Sequence, residues 1–103
     1  MPSPYDDYNV LEAAAQGYID TGDIESALRI FFYMADGDSG LDGGYLGERI
    51  GECYEKLGII YAAIYWYGRA LEESGGYCPV AESRLAVLGK MSIDDIVKDF
   101  KKR

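Results

Sequence analysis

Residues 47–70 read GERIGECYEKLGIIYAAIYWYGRA, two apolar-periodic segments separated by Gly58. Each segment carries its apolar residues at helical spacing, so the stretch reads as two amphipathic helices folded back on each other. Gly47, Gly51, Ala63 and Ala70 fall where two backbones must approach, and Tyr54 and Tyr67 fall where a flat ring can fill the space between helices. An earlier stretch repeats the arrangement: Leu11-x-x-Ala14-Ala15-x-x-Tyr18, then Gly22, then Ala27-x-x-x-Phe31-x-x-Met34. Tyr18 and Tyr54, Gly22 and Gly58, Ala27 and Ala63, and Phe31 and Tyr67 are each 36 residues apart. A fixed internal period of this size points to stacked helical hairpins. The first copy fits less well at its end, where Met34 stands opposite Ala70.

The order and spacing of these residues resemble the tetratricopeptide repeat (TPR) family, whose pattern W-x2-L-G-x2-Y, A-x3-F, P recurs about every 34 residues. The match rests on Ile50, Gly51, Tyr54, Ala63, Tyr67 and Ala70, with Gly58 at the interhelix glycine. Gly47 replaces the tryptophan of the pattern, and Gly75 stands where proline is common. The resemblance implies an all-α fold, a right-handed superhelical stack of antiparallel helix hairpins with about six helices. It divides a single domain, 1–103, into a first repeat over about 8–41, a second over about 44–77, and a degenerate repeat or capping helix pair over about 78–103. The observed period exceeds the nominal one, which predicts an enlarged loop between the copies.

Taken in order, the chain predicts helices over 5–19, 24–35, 45–57 and 60–73, a fifth from Pro79 to near Gly89, and a sixth opened by Ser92. Val10, Leu11, Ala14, Ala15 and Tyr18 share one face of the first. The run from Ile59 to Tyr67 is apolar on nearly every side, as expected of a helix covered by neighbours. Trp66 and most of the ten tyrosines are read as packing rings. The acidic loop 36–44 places Asp36, Asp38 and Asp42 in alternation, as calcium loops do. That pattern fails where Leu41 replaces the sharp-turn glycine and Gly47 replaces the bidentate glutamate, so a solvated loop is the expectation.

Composition narrows the function. A formal charge of −8 speaks against nucleic acid, which needs a concentrated basic surface. The chain has no histidine, so the commonest acid/base group and transition-metal ligand is missing. Cys53 and Cys78 match no metal or redox spacing and are expected to be free, buried thiols. No cofactor, no metal and no catalytic residue are predicted. The longest apolar run, Ile59 to Tyr67, is roughly half the length a membrane helix needs, and the N-terminus lacks a basic, apolar leader. A cytoplasmic protein with no membrane association is the expectation.

The resemblance also implies a groove lined by the first helix of each repeat. The lining positions are Asn9, Glu12, Gln16 and Asp20 from the first copy, and Tyr45, Glu48, Glu52 and Glu55 from the second. Ser83, Arg84 and Val87 extend them if the third pair stacks regularly. The acidic character argues against a clamp for a peptide C-terminal carboxylate. It favours an adaptor or chaperone-like interaction module for a basic or amphipathic peptide or protein segment, with carboxylates holding Lys or Arg and Tyr45 giving apolar contact. Alternatively, the acids only solvate exposed helix faces and the chain is a structural homo-oligomer that stacks through its repeat ends. Residues 90–103 carry five basic and three acidic side chains against five and fifteen before them, so a basic tail is also available for self-association.

Overall fold

The structure, a computed structural model, describes residues 8–37 and 43–89. Among the described residues there are five helices and no strand: α1 (Tyr8–Asp20), α2 (Ile24–Asp36), α3 (Tyr45–Leu57), α4 (Ile60–Glu73) and α5 (Pro79–Leu88). These bounds follow the expected spans to within a few residues. The sixth expected helix and most of the acidic loop lie outside the described residues.

Gly22 and Gly58 close the two hairpins in the same way. Each takes a left-handed conformation, with φ of 87° and 77°, which is cheap only without a Cβ. The Gly22 amide donates to the Ile19 carbonyl and Asp23 to Tyr18; Gly58 donates to Glu55 and Ile59 to Tyr54. These paired bonds satisfy the carbonyls that a helix end leaves open and turn the chain within two residues. Asp23 then caps α2 by accepting from the Ser26 amide and hydroxyl, which hold its carboxyl below the usual range. Pro79 opens α5 at its first turn.

The helices α3 and α4 approach closely. The place of a Cβ on Gly47 lies 3.1 Å from the Ala70 nitrogen and the Trp66 carbonyl, and one on Gly51 would lie 2.8 Å from the Tyr67 ring. Residue 47 therefore meets 70, and 51 meets 67, so the helices run antiparallel. The other face of α3 presents Leu46, Ile50 and Cys53, all wholly buried, to a core shared with Ala15 of α1 and Ala27, Phe31 and Met34 of α2. A second core joins Ile60, Ala63, Tyr67 and Ala70 of α4 to Cys78, Ala81 and Leu88 around α5. Tyr54 packs against both. Phe32 bridges outward from α2, meeting Tyr54 edge-on at 6.2 Å and Trp66 at 5.5 Å, so Trp66 serves packing between the hairpins.

Two expectations are corrected. The inward stripe of α1 is Tyr8, Leu11, Ala15 and Ile19; Val10, Ala14 and Tyr18 face solvent. Among the described residues α1 is covered by α2 and α3 on one side only, so its apolar positions are split between core and surface. Among the same residues the outer face of α4 is likewise uncovered, leaving Tyr61 and Tyr65 exposed, as are Tyr33 and Tyr77. Both cysteines are free and buried, as expected, and burial raises the Cys53 thiol to about 11. Among the described residues no helix is long and apolar enough to cross a membrane.

The seam fixes the sign of two glycine substitutions. Gly51→Ala is expected to destabilise by about 1–3 kcal/mol, because its methyl group meets the Tyr67 ring. Gly17→Ala, in the interior of α1 with nothing near its Cβ position, is expected to stabilise by about 0.5–1 kcal/mol. Urea unfolding of the two variants checks both.

Candidate functional site

The helices α1, α3 and α5 present one continuous polar face, joined by side-chain bonds from α1 to α3 and from α3 to α5 and its N-cap. The Tyr45 hydroxyl donates to Glu12, and Arg49, one turn further along α3, donates through Nη2 to Gln16. Gln16 in turn donates to Asp20 at 2.9 Å, and Arg49 Nη1 reaches Glu52 at 3.0 Å. Across the other flank, the Cys78 thiol approaches Glu48 at 3.9 Å, and Arg84 donates through Nε to Glu55 at 3.0 Å, with Nη2 on its second oxygen. Since 12 pairs with 45 and 16 with 49, and 48 with 78 and 55 with 84, the three helices run in one direction.

Seven of the eight expected groove residues thus enter one bonded face: Glu12, Gln16, Asp20, Tyr45, Glu48, Glu52 and Glu55. Asn9 is exposed at the start of α1 and stands apart from it. Arg84, expected as an extension, binds Glu55, whereas Ser83 and Val87 lie exposed on α5. Arg49 was not among the residues read from the sequence. Its signal is the Arg49–Glu52 spacing of three, which brings the two onto one helix face. It makes the face less acidic than expected, since two guanidinium groups sit among the carboxylates.

Arg49 is also the link between this face and the core. Its guanidinium lies 5.3 Å from the centre of the Phe31 ring, and its Nε is buried without a hydrogen-bond partner. Tyr45 has its hydroxyl held up to about 12, by burial and by its bond to Glu12, so it stays a neutral donor. Glu48 has a carboxyl raised by burial and by its neighbour Glu52, which Arg49 and the Cys78 thiol offset only in part. Burial also pushes Glu55 upward, but the bonds from Arg84 and Tyr67 and the Arg84 charge outweigh it, leaving this carboxyl below its ordinary value. Tyr67, buried with its hydroxyl 2.9 Å from Glu55, is raised by burial and by that carboxylate.

Beside this triad lies a hollow of about 340 Å³ lined by Glu52, Glu55, Lys56, Tyr67, Val80 and Arg84. Its mixed charge and open mouth suit an inserted polar side chain better than a closed reaction chamber. Among the described residues no group of three metal-ligating side chains comes together. Comparison with models of protein families, with curated proteins and with solved structures finds no match.

The Glu55 triad gives a pH signature. Because the folded carboxyl is depressed, its stabilisation is present above the unfolded pKa and is lost as pH falls through the folded one. Arg84→Gln is expected to cost at most about 1 kcal/mol at neutral pH, the pair being a third exposed, and the difference from the native protein should shrink in acid. Urea unfolding at neutral and acidic pH checks this.

Proposed function

We propose that the chain is a small TPR-like helical repeat protein, a non-enzymatic interaction module that takes a basic or amphipathic peptide or protein segment on the α1/α3/α5 face. The repeat reading is supported by the matching caps at Gly22 and Gly58, and by the wholly buried small residues Ala27 and Ala63 followed four positions later by the rings of Phe31 and Tyr67. In that reading the three parallel helices form the concave side of a right-handed stack.

The observation that carries the partner chemistry is Glu48. It is half-buried, its carboxyl is raised, and among the described residues it has no ion pair; its bond is to a thiol. Glu52 lies one turn away and shares its charge with Arg49 through one oxygen. A lysine or arginine from a partner would relieve both, forming the charge-assisted bonds that the protein's own residues leave unmade. Glu55, already held by Arg84 and Tyr67, is the stiff edge of the surface. Tyr45 and Val80 supply apolar area on either side.

The homo-oligomer alternative draws support from the apolar residues exposed near the two ends of the described chain, Tyr18 on α1 and Val80 and Val87 on α5. Sedimentation across a range of concentrations separates the two readings.

The direct test is fluorescence anisotropy with a labelled peptide alternating Lys and Leu. Binding should be weakened at least about tenfold by Glu48→Lys/Glu52→Lys and less by Glu48→Gln. It should also weaken as pH falls through the raised Glu48 pKa, since protonation removes the attracting charge. Equal binding by the native protein and the double variant, with helical circular dichroism unchanged, would move the site elsewhere.

A further inference from the structure

The opposite layer, made by α2 and α4, carries a second groove of contrary character. It has a volume of about 730 Å³ and is lined by Arg29, Phe32, Tyr33 and Asp36 from α2 and by Trp66 and Arg69 from α4. The α2 residues fall at spacings of three and four, so they form one stripe along the helix, facing the α4 pair.

The distribution of arginine sets this groove apart. The described residues hold Arg29, Arg49, Arg69 and Arg84. Arg49 and Arg84 are taken up by the carboxylates of the α1/α3/α5 face. The remaining two both line the α2/α4 groove. Arg29 is exposed and forms no salt bridge among the described residues, although its charge reaches the Asp23 cap. Arg69 lies 3.6 Å from Glu73, donates to the Tyr65 hydroxyl at 3.2 Å, and rests over Trp66 and Tyr65 at 5.7 and 6.0 Å from the ring centres. The pair with Glu73, with both side chains nearly a third exposed, is worth little. The edge-to-face rings of Phe32 and Trp66 form an apolar floor with the Arg69 guanidinium beside it.

We propose that this groove is a second binding site, for an acidic peptide segment carrying an aromatic or aliphatic anchor. The anchor lies on Phe32 and Trp66, and the segment's carboxylates meet Arg29 and Arg69. Arginine matches carboxylate geometry with two parallel bonds, so two such side chains flanking an apolar floor select for acid next to apolar. The net charge of the chain opposes an acidic ligand at long range, but screening over about 8 Å at physiological salt leaves the local arginines in control at contact. The α1/α3/α5 face and this groove would then take segments of opposite charge on opposite layers.

Trp66 is the only tryptophan in the chain and lines this groove, so emission is read from one residue at the site. The test titrates the native protein with the tryptophan-free peptide acetyl-Asp-Glu-Phe-Asp-Leu-Glu-amide, beside a counterpart with lysine at each acidic position. Expected are a saturable change in Trp66 emission with the acidic peptide only, a weaker response in high salt, and a Kd at least about tenfold higher in Arg29→Glu and in Arg69→Gln. Glu48→Lys/Glu52→Lys should leave this response unchanged, which separates the groove from the α1/α3/α5 face. No emission change up to millimolar peptide, an equal response to the lysine counterpart, or a native response in Arg29→Glu with helicity intact would each overturn the proposal.

Discussion

The close approach of α3 to α4 is the constraint on which the rest of the chain depends. It is made by removing side chains from one helix: Gly47 and Gly51 leave room for the backbone at Trp66 and Ala70 and for the Tyr67 ring. With one face of α3 given to backbone contact, its opposite face is free to bury Leu46, Ile50 and Cys53 against α1 and α2. The short distance across the seam also lets the Tyr67 hydroxyl emerge beside Glu55, on the polar face, while its ring stays in the core. Packing and surface chemistry are therefore joined at this side chain.

The two layers divide the charged residues between them. On the α1/α3/α5 layer the Arg49 and Arg84 guanidinium groups are bonded among carboxylates and an amide, in half-buried pairs. On the α2/α4 layer, Arg69 lies over the Trp66 and Tyr65 rings, an attraction that is less directional, and Arg29 is exposed.

Much of the helical framework was legible in the sequence, for physical reasons that can be named. Gly22 and Gly58 had to be turns because no other residue takes the left-handed conformation cheaply, and the fixed period tied Ala27 to Ala63 and Phe31 to Tyr67. What was misread depended on neighbours rather than on the segment itself. The stripe Val10–Ala14–Tyr18 is as apolar as Tyr8–Leu11–Ala15–Ile19, and only the one-sided cover on α1 separates them. Tyr61 and Tyr65 are exposed for the same reason. In the polar face, the lining positions came from a repeat pattern that marks α3 at 45, 48, 52 and 55. Arg49 lies at the margin of that stripe, and its role depends on Gln16, thirty-three residues away. The α2/α4 groove depends on the same kind of distant pairing, between Phe32 and Trp66.

The division of the interior into two apolar clusters joined through Tyr54 bears on how the molecule comes apart. Opening at either end exposes one cluster at a time: α1 can lift from α2, or α5 from α4, without disturbing the glycine seam. Amide hydrogens in α1 and α5 then exchange through small local openings, whereas those facing the seam in α3 and α4 exchange only when the whole chain unfolds. The central α3–α4 hairpin is therefore expected to open last, and of the flanking helices both α1 and α5 belong to the α1/α3/α5 face.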